Sequence, residues 1–270
     1  MLLEDESRNM QDAIEQHLGE PVAVLQYLSS CDSTNRRCLQ QGGHKTIVIA
    51  QQQTAGRGRR GRQWVSPAGK NIYCSIGLDK KLPAQYLGLI SLCVGVSIAQ
   101  VLQRHGFFDS GLKWPNDIVV GERKLGGILI ETRPLAEDEF YLVTGFGLNV
   151  ALEESTLASI DQPAISLQQM SAEIPDTPRL CCELVAAIMQ AVMSFDETGI
   201  DDLLQRFAGF DQYHDREVTV KTRSGTLTGR YRGVHRSGQL QLETVQGLQL
   251  FSAAEISLRT QTGSADAVDR

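Results

Sequence analysis

Twenty-two consecutive residues, Leu82 to Gln103, carry no charge in a chain where Asp, Glu, Lys and Arg make up 21% of the residues. A stretch of that length has to leave water, either across a bilayer or inside a large core. Pro83, Gln85, Ser91, Ser97, Gln100 and Gln103 interrupt it, with Gly88 and Gly95. A membrane span has a cleaner apolar run, so the pattern reads as a packed core helix ended by His105-Gly106. The 270 residues can house such a helix, because a chain of this size buries about three quarters of its unfolded surface.

The flanking texture says what the helix packs on. Short β-rich runs occupy Val22–Leu28, Thr46–Gln51, Asn71–Leu78, Ile118–Val120, Gly127–Thr132 and Phe140–Val150. The fourth and fifth flank Gly121-Glu122-Arg123-Lys124 and read as a hairpin. Strands in bunches with helices inserted predict α+β: a mixed, mostly antiparallel sheet with packed helices. Residues 2–18 predict a short acidic helix stopped by Gly19 and Pro21, with no evident role. Ile160 to Asp176 reads as a loop, and Thr177-Pro178 as the cap and first turn of a helix from Arg179 to about Asp196. Leu184, Ile188 and Val192 follow Leu180 at four-residue spacing, and a shorter helix covers Leu203 to Phe207. Beyond Gly209 come five short runs, Glu217–Lys221, Thr226–Gly233, Gln239–Glu243, Leu248–Phe251 and Ile256–Arg259. So many short strands in so few residues predict a small closed barrel of the SH3-like type. The expected division is 1–211 for the larger domain, 212–260 for the barrel and a disordered tail over 261–270.

The formal net charge is −6, so the chain lacks the global basic field of a nucleic-acid binder. Six cysteines without a Cys-x-x-Cys read as buried thiols of a reducing cytosol, and the acidic N-terminus does not read as a signal peptide.

Against that background one loop stands out: Gly56-Arg57-Gly58-Arg59-Arg60-Gly61, with Arg62 and Trp64 after it. It satisfies G-x-G-x-x-G formally, but Ser66-Pro67 and Gly69 prevent the helix that a dinucleotide site requires. Glycines let backbone N–H groups approach an anion, and guanidinium forks grip phosphate oxygens bidentately. A solvated basic loop or a nucleic-acid patch are the blander alternatives. Lys113-Trp114-Pro115-Asn116-Asp117 contains a proline that cannot sit in a central ladder, which predicts a bulge and places Asn116 and Asp117 at a sheet edge. Lys124-Leu125-Gly126-Gly127 admits a ligand close to the backbone. Gly145-Phe146-Gly147-Leu148-Asn149 ends a strand in an amide, and Asp32-Ser33-Thr34-Asn35 follows the first strand where it can cap a helix.

These four segments, with Gln53-Thr54-Ala55 leading into the arginine loop, stand in the order and spacing of biotin protein ligases. The chain resembles that family over about residues 25 to 260. The resemblance implies a class II synthetase-like catalytic domain that activates biotin with ATP and Mg²⁺ as biotinyl-5′-adenylate. The biotinyl group then passes to a lysine on a carboxylase's biotin carboxyl carrier protein. By the same resemblance Ser33, Thr34, Asn35 and Gln53 line the biotin end, with Gly126 and Gly127. Arg57, Gly58 and Arg59 close over biotin and the adenylate, and Lys124 reaches the reacting carboxylate and α-phosphate. Arg60, Trp64 and Asn149 belong to the nucleotide side, with Glu255 and Arg259 at the end of the barrel. Asp117 is the candidate to orient or deprotonate the acceptor lysine. No protein metal ligands are assigned. The 31 residues before Asp32 are too few for the winged helix of family members that repress transcription, so specific DNA binding and a membrane partner are not expected. A homodimer is left open. A lipoyl or octanoyl transferase, with a related core, is the enzymatic rival, and a non-enzymatic nucleic-acid binder the more distant one.

Overall fold

The computed structural model describes residues 3–69, 71–222, 225–253 and 257–260, with backbone alone for 222 and 257–260. The chain divides into two compact units, residues 1–212 and 213–270. The first contains, in chain order, α1 (Glu4–Leu18), β1 (Val24–Leu28), α2 (Thr34–Gln41), β2 (Thr46–Ala50), β3 (Ile72–Lys81), α3 (Leu87–Arg104), β4 (Gly111–Lys113), β5 (Asp117–Val120), β6 (Arg123–Ala136), β7 (Glu139–Leu148), α4 (Glu154–Ser159), α5 (Thr177–Ser194) and α6 (Ile200–Phe210). Its seven strands run β1-β2-β3-β7-β6-β5-β4 across one sheet. β1 and β2 are parallel and the other neighbours antiparallel. This is the mixed, mostly antiparallel sheet of an α+β domain.

The uncharged stretch is α3, and its burial explains its composition. Leu89, Ile90, Leu92, Val94, Val96, Ile98, Val101 and Leu102 are all buried, and the helix packs on β4, β5 and β6 with α5 and α6 beside it. Gly95 brings it close to the sheet: a Cβ there would lie 3.2 Å from Leu112 Cδ2. By length and composition this helix is able to cross a membrane, but here its apolar surface is met by the rest of the unit.

α5 shows the expected four-residue stripe, with Leu180, Leu184, Ile188 and Val192 buried. Its cap differs from expectation. Asp176, not Thr177, is the N-cap, and its carboxylate accepts from Arg179 N. The carboxylate reaches the third residue's N–H, which leaves Thr177 and Pro178 inside the first turn. α6 is longer than expected at both ends, and α4 adds a short helix that the sequence pattern does not signal.

The acidic N-terminal helix α1 has a structural task. Met10 and Ile14 are buried, and the helix packs on α5 and β1. Leu3 N donates to Tyr27 O at 2.8 Å, and Tyr27 N donates to Ser7 Oγ at 3.0 Å. The start of the helix thus takes up the outward backbone pair of Tyr27 on the edge strand β1.

The second unit contains β8 (Glu217–Thr222), β9 (Gly225–Val234), β10 (Leu240–Thr244), β11 (Gly247–Phe251) and β12 (Ser257–Thr260). The order β11-β10-β9-β8-β12 returns the last strand to the side of the first, which is the order of an SH3-like small barrel. Val218, Val220, Tyr231, Leu240 and Leu242 form its core. Glu255 and the tail over 261–270 lie outside the described residues. Arg259 pairs by backbone with Thr219.

All six cysteines are unpaired: Cys31 is half-buried and the other five are buried. Burial pushes the thiol of Cys93 up to about 12, and Cys31, where Asp32 adds to the effect of burial, up to about 11.

Candidate active site

The site begins with a bare patch on one face of the sheet. The ladders align Ser75 of β3 with Gly145 of β7 and Tyr73 with Gly147. They align Gly145 with Leu129 of β6 and Gly147 with Gly127, and Gly127 with Asp117 of β5. Directly paired residues point to one face, as do alternate residues along a strand. Gly127, Gly145 and Gly147 therefore leave that face without side chains, and other side chains fill the space. A Cβ at Gly145 would sit 1.8 Å from Asn35 Oδ1. At Gly147 it would sit 2.6 Å from Trp64 Cε2 and Nε1, and at Gly127 it would meet Lys124 Cε at 3.2 Å and Trp64 Cζ3 at 3.3 Å. Gly126 turns the other way, where its Cβ would meet Gly147 O at 2.8 Å and Ile118 at 3.0 Å.

The start of α2 lies over this face. Ser33, Thr34 and Asn35 are buried. Ser33 occupies the N-cap position without a side-chain cap bond. Instead, Gln53 Oε1 accepts the N–H of Thr34 at 2.9 Å, while Gln53 Nε2 donates to Ser66 Oγ at 3.0 Å. Asp32 Oδ1 accepts from Ser33 N and its other oxygen pairs with Arg36. Burial opposes ionisation of Asp32, but these partners outweigh it and hold the carboxyl below its usual value. Ser75 Oγ lies 2.8 Å from Thr34 Oγ1 and 2.6 Å from Asn35 Oδ1. The Asn35 amide donates on to Glu131 Oε2 at 2.9 Å.

The arginine loop is a small flap closed on itself. Trp64 N donates to Gly56 O at 2.9 Å and Gly58 N to Arg62 O at 2.7 Å, with Arg57 bridged to Gln63. Arg60, at φ 58°, and Gly61, at φ 72°, turn its tip. A Cβ at Gly56 would lie 2.5 Å from Trp64 O, so only glycine fits the neck. Arg57 reaches Glu131 at 3.0 Å. Arg59 donates to Asn116 Oδ1 at 3.2 Å; burial first, then the like charge of Arg60, lowers its pKa, while Asp117 works the other way. Arg60 is exposed.

The expectation for Pro115 needs correcting. Trp114, Pro115 and Asn116 form the turn between β4 and β5, so the proline meets no ladder. Asp117 pairs with Lys113 on one side and Gly127 on the other, inside the sheet and not at its edge. A reversal between paired strands avoids the proline's missing donor as well as a bulge does. Lys124 Nζ stands 2.6 Å from Asp117 Oδ1 and 5.4 Å from the Trp64 ring centroid.

The backbone of Lys124 is held by the segment read as a plain loop. Lys124 N donates to Pro163 O at 2.8 Å, and Ile165 N donates to Lys124 O at 3.0 Å. Asn149 Nδ2 donates to Ile165 O at 3.1 Å and to Lys124 O at 3.4 Å. The amide of Asn149 is thus committed to positioning Lys124.

The structure therefore brings together Thr34, Asn35, Gln53, Arg57, Arg59, Trp64, Asp117, Lys124 and Gly127, and adds Ser75, Ser66 and Glu131. Period-two counting from Gly127 puts Glu131 on the same face, and Ser75 is a polar residue in an otherwise apolar strand run, so both carry a signal in the sequence. The 163–165 seam carries none. Among the described residues, no group of three or more His, Cys, Asp and Glu is placed to hold a metal ion.

Residues 27–149 match the biotin/lipoate A/B protein ligase family, and residues 213–259 match the biotin protein ligase C-terminal domain. The bifunctional ligase/repressor BirA of Escherichia coli (strain K12) is 35% identical over 246 residues, covering 90% of this chain and 75% of that protein. The biotin–[acetyl-CoA-carboxylase] ligase of Mycobacterium tuberculosis is 38% identical over 155 residues, 53% of this chain and 54% of its own. Among solved structures, the Aquifex aeolicus biotin protein ligase in complex with biotin and ATP superposes with a TM-score of 0.73 at 28% identity, covering 88% of this chain and 98% of that one. With a relative this similar over three quarters of its length and a family match at each end of the chain, the protein belongs to the biotin protein ligase family.

Proposed function

We propose that the chain joins biotin to ATP as biotinyl-5′-adenylate, releasing pyrophosphate, and transfers the biotinyl group to a lysine of a biotin carboxyl carrier domain. The observation that carries this reading is the convergence of Arg57, Arg59, Lys124 and Trp64 on a glycine-bared sheet face beside the buried polar start of α2. In the first step a biotin carboxylate oxygen attacks the α-phosphorus and the bond to the β-phosphate oxygen breaks. Two anions must approach, so fixed cations that need no reorganisation contribute most. Lys124, braced by Asp117 at 2.6 Å and by its clamped backbone, suits the reacting oxygens. Arg57 and Arg59 suit the carboxylate and α-phosphate, and Arg60 the exposed polyphosphate. Mg²⁺ enters with ATP as part of the substrate, since Mg²⁺ in such sites is held largely by phosphate oxygens and water.

Trp64 offers a flat apolar wall to the adenine. Asn149 acts through Lys124, and its Oδ1 faces no partner among the described residues, so a nucleotide contact there is compatible. Thr34, Asn35, Ser33 and Gln53 make the polar end that takes the biotin head. In the second step the acceptor amine attacks the acyl carbon, AMP leaves, and the amine's surplus proton is lost to solvent or to Asp117. We assign Asp117 primarily to orienting Lys124, whose Nζ its Oδ1 holds at 2.6 Å. The adenylate hydrolyses readily, and the flap supplies the water exclusion it needs. Unpaired cysteines support a cytoplasmic place of work.

The test is biotin-dependent exchange of pyrophosphate into ATP, followed by biotin transfer to a carrier domain. Exchange that requires biotin supports the reading; exchange that answers to lipoate or octanoate and not to biotin overturns it. The match of residues 213–259 to the biotin ligase C-terminal domain favours biotin between the two.

A further inference from the structure

We propose that Glu131 is a positioning residue that latches the arginine flap to the biotin side of the site. Its carboxylate faces the interior on one side and the flap on the other. Oε2 accepts from Asn35 Nδ2 at 2.9 Å and from Arg57 Nη1 at 3.4 Å, while Oε1 stands 3.0 Å from the same Nη1. Behind Asn35 stands Ser75, fully buried. A hydroxyl has one proton, and Asn35 Oδ1 has none to give, so Ser75 donates to Asn35 across 2.6 Å. Thr34 Oγ1 then turns its proton to Ser75 or to Gln53 Oε1, 3.2 Å away. The result is a continuous polar chain from Gln53 through Thr34, Ser75, Asn35 and Glu131 to Arg57. It crosses α2, β3 and β6 and ends on the flap.

Three features make this a latch and not a surface ion pair. Glu131 is itself held, by Asn35 on its inner side and by its place on the glycine face of β6. The flap crowds four arginines into six residues, so a fixed anion is needed to keep their repulsion from lifting it. Finally, only Nη1 of Arg57 contacts Glu131 among the described residues, so the remaining edge of the guanidinium fork is available for an anionic ligand. Glu131 thus aims Arg57 without consuming it. The arrangement ties the conformation of Asn35, which lines the proposed biotin end, to the position of the guanidinium above it. What the flap covers rests on the function proposed above; the latch itself does not.

The experiment uses the full chain. Trypsin cleaves after the flap arginines when the flap leaves the sheet. Glu131→Gln keeps an amide oxygen for Asn35 but removes the charge, and should speed cleavage within residues 57–62 about two- to fivefold, the range expected for a half-exposed charged pair. Release of preformed biotinyl-adenylate should quicken by the same factor, with the Michaelis constant for biotin raised. In an Arg57→Gln background the same Glu131→Gln change should add nothing, because the pair is already broken. If Glu131→Gln does not fold, Arg57→Gln alone breaks the pair from its exposed side and must give the same faster cleavage. Unchanged cleavage in either single variant overturns the latch, as does a full effect of Glu131→Gln in the Arg57→Gln background. A wild type without biotin-dependent exchange would instead remove the proposed function, while the cleavage rates still decide the latch.

Discussion

Gly147→Ala isolates the contact between the sheet face and Trp64. The added methyl would lie 2.6 Å from Trp64 Cε2 and Nε1 and 2.9 Å from Cζ2, whereas carbon atoms settle at about 3.5–4.0 Å. The indole has to retreat by roughly 1 Å. Gly147 lies in the middle of the sheet, paired on both sides, so the flap must move and the strand must not. Overpacking costs about 1–3 kcal/mol, and replacing a strand glycine returns about 0.5–1 kcal/mol, so the fold should survive with about 1 kcal/mol lost. Function should suffer more: a displacement near 1 Å of a positioning group costs on the order of 10²-fold in rate. Single-turnover adenylation across an ATP titration measures that loss, with thermal unfolding to confirm the fold. Emission from Trp64 reports the movement, since the only other tryptophan, Trp114, is buried. Gly127→Ala is the internal control, because its methyl would meet the ends of Lys124 and Trp64 at 3.2–3.3 Å, and should cost less than tenfold. Normal adenylation and unchanged emission in Gly147→Ala would refute the claim that the glycine exists to seat the indole.

Lys124→Ala should lower the rate of adenylation more than it weakens ATP binding, because a cation beside a developing phosphorane acts in the transition state; a raised Michaelis constant with a normal single-turnover rate would make it a ground-state binder. Asp196 caps the turn before α6 through Thr198 and Gly199, and the Thr198 hydroxyl above all holds its carboxyl below the ordinary 3.8. Its folded pKa is depressed, so the stability it adds is present above pH 3.8 and is lost as pH falls through the lower folded value. Melting curves of wild type and Asp196→Asn should therefore differ at pH 6 and converge below that value. The 270-residue chain should show no specific DNA binding, given its net charge of −6 and an N-terminal helix packed on β1 and α5; a footprint at physiological salt that survives competitor DNA would refute it.

The α+β architecture is legible in the sequence because its signals are local. An uncharged run has to be α3, Gly121-Glu122 between apolar pairs has to be a hairpin, and a stripe at every fourth position has to be one face of α5. The site residues are legible as motifs for the same reason. What escapes a reading of the sequence is set by contacts between segments far apart. Asp117 inside the ladder, instead of at its edge, follows from a turn that takes Pro115 out of the strands altogether. Glu131 acquires its meaning from Asn35, close to a hundred residues earlier. Asn149 reads as a ligand amide at the end of a strand, yet its nitrogen is occupied by Ile165 and Lys124. Asp176 outcompetes Thr177 as a cap, a difference of one residue that propensity alone does not resolve.

The seam between Lys124 and residues 163–165 also bears on when the site comes into being. The β5–β6 hairpin can form from contacts between neighbours, soon after its residues are made. The backbone of its lysine gains both partners only when a segment some forty positions downstream closes over it, and loop closure of that kind follows the local steps in folding. Asn149, which joins the two, stands between them in the chain. A nascent chain halted before residue 163 would carry all four motifs and still lack the clamp on its central cation. Competence for chemistry is in this sense a late-arriving property of the larger unit, added after the strands that bear it.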